Sequence, residues 1–183
     1  MLLQREQSTL LLVDVQEKLA FAVHAAAKLI DHCNWMLCLA QDCDVPIVIS
    51  EQYPRGLGHT LPGLLQTAGN AMLLEKTAFS CVAAGCLSLP TCQERKQIVL
   101  IGIEAHVCVM QTAMELHAAG KQVYVVADAV SSRSPEDREL ALARMRSAGI
   151  HIISREMVLF EWIRDSGHPH FKQLSQRYLQ QKS

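Results

Sequence analysis

The sequence has no long hydrophobic run, no excess of basic residues and no closely paired cysteines. No stretch approaches the roughly 18 consecutive apolar residues that a transmembrane helix needs. The formal net charge is -1, whereas nucleic-acid-binding domains usually carry a basic excess. These absences argue against a membrane-spanning protein and against a nucleic-acid-binding protein.

Cysteine is present, but its spacing does not favour a metal site. The seven cysteines are mostly five or six residues apart and include no C-x-x-C pair, so a structural zinc site is not expected. Near the N-terminus, Glu6 and Asp14 interrupt the apolar segment and no small-residue cleavage site follows. The sequence therefore predicts a protein without a signal peptide that stays in the cytoplasm with reduced thiols.

Half of the residues are hydrophobic, and apolar strand-like runs alternate with helix-like segments. The predicted strands span residues 8–15, 45–50, 71–76, 97–102, 122–128 and 150–154. The main predicted helices span residues 20–43, 106–119, 135–148, 156–165 and 171–181. Such alternation is typical of βαβ units. The sequence predicts one domain over residues 1–183, of the α/β class, with a three-layer α/β/α sandwich around a six-stranded, mainly parallel sheet.

Three chemically capable side chains lie where predicted strands end. Asp14 ends the first strand, Lys76 ends the third, and Cys108 opens the helix after the fourth. The carboxyl ends of parallel strands share one edge of the sheet, where ligands bind. There a helix N-terminus and Lys76 would lower the pKa of the thiol, and a carboxylate could take its proton. Taken singly, each residue is more often structural, and Cys108 would then be a small core residue.

Five segments of the sequence resemble the isochorismatase-like cysteine hydrolases: LLLVDVQ, ISEQYPRGLG, LEKTAFS, IGIEAHVCVMQTA and DAVSSRS. The similarity extends from about residue 5 to residue 175, and within the family it is greatest to isochorismatase-domain-containing proteins of unassigned substrate. The resemblance implies a catalytic triad of Asp14, Lys76 and Cys108. It also implies a cis peptide bond before Glu104, which directs the backbone N–H groups of Glu104 and Cys108 toward one oxyanion.

The loop after the second strand departs from the pattern of some relatives. Nicotinamidases bind a metal there through an aspartate and two histidines, whereas this sequence has Glu51 and Tyr53 at the corresponding positions. His59 is the only histidine of that loop. This departure predicts no metal site and argues against nicotinamidase activity. True isochorismatases lack the cysteine, so Cys108 argues against isochorismate as the substrate.

Four further residues are candidates to line a substrate pocket: Leu19, Tyr53, Phe79 and His106. Relatives often have an aromatic residue at the position of Leu19. Core packing is an alternative for Phe79, and exposure to solvent in the first helical turn is an alternative for His106. Asp128, at the end of the fifth strand, is either a second acid of the site or a residue that fixes the following loop by hydrogen bonds.

These features predict a cysteine hydrolase that needs no metal or organic cofactor and cleaves a small amide or related acyl compound. The alternative is a binding or regulatory module that keeps the fold without the activity. The predicted partners are a small-molecule substrate and further copies of the chain, with no nucleic acid and no membrane. A homo-oligomer is implied by the resemblance, and the helix at 156–165 offers Leu159, Phe160 and Trp162 as an apolar surface.

Overall fold

The computed structural model describes residues 1–179. Its strands are β1 (Ser8–Val13), β2 (Ile47–Gln52), β3 (Met72–Lys76), β4 (Gln97–Ile103), β5 (Gln122–Ser131) and β6 (His151–Ile153). Its α-helices are α1 (Ala26–Asp42), α2 (Pro54–Leu57), α3 (Pro62–Ala68), α4 (Pro90–Glu94), α5 (Met110–Ala118), α6 (Pro135–Ser147), α7 (Arg155–Ile163) and α8 (Phe171–Leu179). The predicted ends of the domain, at 183, and of the last helix, at 181, lie outside the described residues. Within residues 1–179, no helix combines the length and the apolarity needed to cross a bilayer.

The six strands form one sheet in the order β3-β2-β1-β4-β5-β6, and every neighbouring pair is parallel. The central strands β1 and β4 are buried along their whole length. Both faces of these strands are covered, which explains why their sequences are continuously apolar rather than alternating. The predicted α/β fold with a six-stranded parallel sheet is confirmed.

Helices cover both faces of the sheet and form two separate cores. Leu10 and Leu12 of β1 belong to the core beneath α1, α3, α7 and α8. Leu11 and Val13 point to the opposite face and belong to the core beneath α5 and α6, which also takes in cysteines of the 81–92 segment. This alternation is the two-residue period of a strand. The predicted three-layer sandwich is therefore confirmed.

The second strand ends later than the sequence predicts. Instead of closing at residue 50, β2 continues because Glu51 and Gln52 pair in parallel with Glu75 and Lys76. The hydrophobic run stops at Ser50, so the sequence predicts that the polar residues after it belong to the loop. The extension places β2 beside Lys76 at the carboxyl edge.

Two helical predictions need correction. The helix predicted over residues 20–43 begins only at Ala26, after an irregular segment that contains one short 3-10 turn. The prediction that Leu159 and Trp162 form an apolar surface is wrong, because they are 1% and 3% exposed and pack into the core beneath α7. Phe160 lies on the outer side of α7 and is 44% exposed. Leu159 and Trp162 are three residues apart and so share the inward face of the helix.

Candidate active site

The carboxyl ends of β1 and β4 lie side by side where the strand order reverses. After β1 the chain proceeds outward to β2 and β3, and after β4 it proceeds the other way to β5 and β6. Open α/β sheets bind ligands at such a switch point. Asp14 directly follows β1, Lys76 is the last residue of β3, and Cys108 lies shortly after β4. The structure brings the three predicted triad residues to this one edge.

Asp14 and Lys76 form a buried ion pair. Lys76 Nζ lies 2.7 Å from Asp14 Oδ2, and the two side chains are 0% and 1% exposed. Nζ also donates to Gln52 Oε1 at 2.6 Å and to the carbonyl oxygens of Ala78 and Phe79 at 3.3 and 3.0 Å. A buried charge is tolerated only when it is paired and hydrogen-bonded. Each proton of this ammonium group has an acceptor, so both conditions are met.

The Asp14 carboxylate is held at both of its oxygens. Ser50 Oγ donates to Oδ1 at 2.6 Å, while Lys76 donates to Oδ2. The Asp14 N–H also donates to the Ser50 carbonyl at 3.1 Å. Asp14 has a φ of 54°, a left-handed conformation that aspartate tolerates better than most residues. The first strand therefore ends in a carboxylate whose backbone and side chain are both fixed.

Gly102 allows β4 to approach β1 beside Asp14. Its φ is +114°, and an added Cβ would lie 2.2 Å from the carbonyl oxygen of Val13. Only glycine fits a backbone with this conformation and this contact. The peptide bond between Ile103 and Glu104 is cis. The chain leaves β4 through these residues on its way to the cysteine.

Cys108 lies in a π-helical turn, Ala105–Val109, that precedes α5. The carbonyl of Glu104 accepts hydrogen bonds from the N–H groups of Val107 and Val109, at 3.0 and 3.2 Å. The N–H of Cys108 lies between those of Val107 and Val109 in the chain. Among the described residues, it does not donate to the Glu104 carbonyl. π-Helical turns are often found at functional sites. The helix predicted over 106–119 is thus present, but its first turn is wider than an α-helix.

The prediction that the pKa of Cys108 is lowered is wrong. Burial raises the pKa of this thiol to about 12, and the nearby Asp14 carboxylate acts in the same direction. Lys76 lowers the pKa of Cys108, but the effect is smaller. Cys108 is 8% exposed, so desolvation of the thiol outweighs the nearby cation. Cys108 is therefore a neutral thiol at rest and needs a base at the moment of any nucleophilic attack.

The predicted pocket residues occupy different environments. Tyr53 and Phe79 are 54% and 53% exposed. Each forms a hydrogen bond to Lys76 with a backbone group. The Tyr53 N–H donates to the Lys76 carbonyl at 2.8 Å, and the Phe79 carbonyl accepts from Lys76 Nζ. Core packing therefore does not explain Phe79. Leu19 is partly buried and packs against the core beneath α1.

His106 and Glu104 fasten the π-helical turn to the end of β5 and the loop beyond it. His106 Nδ1 lies 2.9 Å from Ser132 Oγ, and Nε2 lies 3.9 Å from an oxygen of Asp137. The Glu104 carboxylate accepts from the N–H and Nε of Arg133, at 2.9 and 3.1 Å. His106 is therefore bound and partly buried rather than free in solvent. The sequence alone did not identify Ser132 and Arg133 as residues of this site. Their segment, DAVSSRS, contributes there only to the family resemblance.

Asp128 lies outside this cluster of contacts. Its carboxylate accepts from the N–H and Nε of Arg155, at 2.9 and 2.8 Å. Arg155 is the first residue of α7. Of the two interpretations of Asp128, the structure supports hydrogen bonding to the chain, and the bonded segment is the start of α7.

Ser50 and Gln52, which bind the ion pair, were also missed by sequence reasoning. They stand two residues apart on β2 and so share one face of the strand. The signal that could have identified Ser50 and Gln52 is the alternation of the strand, which continues with polar residues after the apolar run. The apolar run alone ends before these residues and does not reveal that the strand continues.

Glu51 of β2 is hydrogen-bonded to residues of the loop that follows the strand. Glu51 accepts from the Thr60 N–H at 2.7 Å and lies 2.9 Å from His59 Nδ1, so both carboxylate oxygens are engaged. In residues 1–179, no group of three or more histidine, cysteine or acidic side chains is placed to hold a metal ion. The aspartate and two histidines expected for a metal site in this segment are not present at these positions.

Comparison with known proteins identifies the family. The isochorismatase domain matches residues 8–157. The mouse isochorismatase domain-containing protein 2A is 40% identical over 169 residues, which are 92% of this chain and 81% of that protein. A solved structure described as MAR1 ribonuclease from Caenorhabditis elegans is 35% identical, with a TM-score of 0.91 over 100% of this chain and 95% of that one. The Escherichia coli YcaC product, described as an octameric hydrolase of unknown specificity, shares the fold at 23% identity, with a TM-score of 0.82 and coverage of 100% and 98%. Because the domain match spans most of the sequence and the mouse relative aligns along nearly all of it, the chain belongs to the isochorismatase domain family of hydrolases.

Proposed function

We propose that this protein is a cysteine-dependent hydrolase that cleaves a small amide or related acyl compound through a thioester on Cys108. The observation that carries the proposal is the buried Asp14–Lys76 ion pair, which interacts with the Cys108 thiol at the switch point of the sheet. A buried ion pair is weak evidence for stability, since desolvation offsets its attraction. A neutral thiol beside a fixed carboxylate has, in contrast, a direct chemical use as a nucleophile with its base.

Acylation begins when Asp14 accepts the proton of the Cys108 thiol and the sulfur attacks the carbonyl carbon. The raised pKa of Cys108 keeps the proton on sulfur until the substrate is in place. The oxygen of the tetrahedral intermediate accepts hydrogen bonds from the N–H groups of Glu104 and Cys108. Loss of one such donor typically costs about 10²–10³ in rate. The C–N bond then breaks, the amine leaves with the proton from Asp14, and the thioester remains.

Deacylation uses the same residues in reverse. Asp14 takes a proton from water as the water oxygen attacks the thioester carbonyl, and it returns that proton to the departing sulfur. The carboxylic acid is released and the thiol is restored. Lys76 keeps the carboxylate in place and compensates its charge in the buried site. No metal or organic cofactor takes part in this proposed sequence.

The proposal is tested with p-nitrophenyl acetate, an activated acyl donor whose leaving group, p-nitrophenolate, is coloured when it is released. Wild-type protein should give a burst of p-nitrophenolate and an acetyl adduct on Cys108 by mass spectrometry. Cys108→Ala should lose both, and Asp14→Asn should slow acylation by several orders of magnitude. Cys38→Ala, which removes a partly buried thiol of α1, is the matched control and should behave as wild type. A screen of small amides then defines the acyl group.

A binding or regulatory module with the same fold remains the alternative. This alternative predicts that Cys108→Ala and the wild type give the same burst of p-nitrophenolate and the same adducts. The intact set of Asp14, Lys76 and Cys108 speaks against this alternative, because binding alone does not need a base beside a thiol.

Ribonuclease activity is a second candidate, favoured by one observation: the similar Caenorhabditis elegans protein is described as a ribonuclease. The net charge of -1 speaks against it, since RNA binding depends largely on cationic contacts with phosphates. Short single-stranded RNA incubated with the protein tests the idea. Cleavage that is lost in Cys108→Ala would establish this activity at the same site, and intact RNA would exclude it.

We also propose that the chain forms a homo-oligomer, on the basis of its family and of the exposed Phe160 on α7. Sedimentation of the wild type at micromolar concentration should show a species larger than the 20.3 kDa chain. A single species of monomer mass would exclude it. Phe160→Ser should weaken an interface that includes this helix, whereas the buried Leu159 is unsuited to this test because its replacement would disturb the core.

A further inference from the structure

Ser50 is a buried hydroxyl that binds the proposed base. It is fully buried on β2, its Oγ lies 2.6 Å from Asp14 Oδ1, and its carbonyl accepts from the Asp14 N–H at 3.1 Å. In the parallel pairing of β1 and β2, Ser50 stands opposite Val13. The end of β2 therefore holds both the main chain and the carboxylate of Asp14.

We infer that Ser50 is a positioning residue: its hydroxyl fixes the rotation of the Asp14 carboxylate, which accepts the Cys108 proton. The inference rests on the proposed cysteine hydrolase function and adds to it a residue that acts through Asp14 without touching the substrate. It assigns to β2 a part in the proton transfer.

The geometry requires a second donor to Asp14. Lys76 binds one oxygen, and a carboxylate held at one oxygen alone can still rotate about its Cβ–Cγ bond. Ser50 on the other oxygen fixes the plane of the group. The distance of 2.6 Å falls in the range of about 2.5–2.7 Å for a hydroxyl that donates to a charged oxygen, roughly twice as strong as a neutral hydrogen bond.

The titratable groups that interact with Asp14 come from three places besides β2. Lys76 ends β3, Cys81 lies in the segment after β3, and Cys108 lies in the turn before α5. Burial is the main cause that raises the pKa of both thiols, so neither carries charge near neutral pH. Lys76 is then the charged neighbour, and Ser50 is a neutral donor whose removal leaves these other groups in place.

The test compares Ser50→Ala and Ser50→Thr with a matched control, Ser8→Ala. Ser8 is also a fully buried serine, but it lies at the opposite end of β1, where its Oγ donates to the Gln4 carbonyl at 2.7 Å. The rates of two reactions of Cys108 are measured at neutral pH: acylation by p-nitrophenyl acetate and alkylation by iodoacetamide. Thermal unfolding of all variants shows that they are folded.

Ser50→Ala should slow acylation about 10- to 100-fold, because the carboxylate is no longer held in line with the thiol. Alkylation should slow as well, because the same carboxylate takes the proton of the thiol. Ser50→Thr keeps the hydroxyl and should retain the wild-type rates. Ser8→Ala should leave both rates unchanged.

The outcomes separate this inference from the proposed function. If wild-type Cys108 is not acylated at all, the hydrolase proposal fails, and the iodoacetamide rate still decides the part of Ser50: slower alkylation in Ser50→Ala that Ser50→Thr restores supports it, and an unchanged rate overturns it. If acylation depends on Cys108 but Ser50→Ala matches Ser8→Ala in both rates, the hydrolase proposal stands and Ser50 only fills space.

Discussion

Gly102 on β4 lies so close to Val13 on β1 that the carbonyl oxygen of Val13 occupies the space of a side chain. An added Cβ would be 2.2 Å from that oxygen and 2.8 Å from the Val13 nitrogen. The contact lies directly before Asp14 on one strand and two residues before Glu104 on the other. The two halves of the proposed site therefore meet at a position that only glycine can fill.

Gly102→Ala should be strongly destabilising. Overpacking against backbone and the positive φ together should lower the free energy of unfolding by at least about 2 kcal/mol, as measured by urea denaturation. Gly63→Ala is the control, because no atom lies within 4 Å of a Cβ at that position in α3, and alanine there should be neutral or stabilising. Equal stability of the two variants would contradict the close contact.

Lys76→Met should cost more stability than replacing both members of the ion pair. The single change leaves the Asp14 carboxylate buried without its partner, which typically costs about 3–5 kcal/mol. The double variant Asp14→Asn with Lys76→Met removes the uncompensated charge and should recover a large part of this loss, while acylation of Cys108 stays abolished. Urea denaturation at neutral pH measures both. A double variant less stable than Lys76→Met would contradict an ion pair whose desolvation offsets its attraction.

Arg133→Gln should lower activity with little effect on stability. Arg133 is largely exposed, so its ion pair with Glu104 should contribute no more than about 1 kcal/mol. Arg133 donates two bonds to the carboxylate of Glu104, whose N–H is a proposed oxyanion donor. The substitution removes the bond from Nε and keeps the bond from the backbone N–H, and loss of the Nε bond should slow acylation several-fold. Arg5→Gln breaks the exposed pair with Glu6 on the N-terminal segment and should leave acylation unchanged. An equal rate in the two variants would remove Arg133 from the site.

Buried thiols should make the protein less stable in alkaline solution. Burial raises the pKa of Cys86 from 9.0 to about 12. Between these values the unfolded chain releases a proton that the folded chain retains, so stability is intact below about pH 9 and falls as the pH rises toward about 12. The loss for one such thiol is roughly 1 kcal/mol for each pH unit.

Cys86→Ala isolates this effect. Its free energy of unfolding, measured by urea at about pH 8 and about pH 10, should fall less between the two than that of the wild type. The comparison at the lower pH gives the packing cost of the lost sulfur and serves as the control. A wild type and a variant with equal alkaline losses would contradict the raised pKa of Cys86.

The placement of the three proposed triad residues could be predicted because it depends on topology. Asp14 and Cys108 follow β1 and β4, Lys76 ends β3, and parallel strands place their carboxyl ends at one edge of the sheet. The pKa of Cys108 could not be predicted, because its direction depends on how deeply the thiol is buried and on its contact with Asp14. A pattern of residue types does not contain either quantity.

The remaining errors have the same origin in tertiary contacts. Glu51 and Gln52 belong to β2 because β3 pairs with them, although their polarity is typical of a loop. Leu159 and Trp162 are inside because α7 turns that face to the sheet, whereas the sequence shows only that the helix is apolar. Ser50 resembles any strand-terminal serine until Asp14 is placed beside it.

Lys76 is carried by β3, one of the two edge strands of the sheet, which is paired on one side only. Peripheral strands open more readily than central ones. Each opening of β3 withdraws the ammonium group from Asp14 while β1 and β4 stay paired, so the chain then has its cysteine in place and a carboxylate without a counter-ion. The lifetime of the β2–β3 pairing therefore limits how long the charge balance around Asp14 persists.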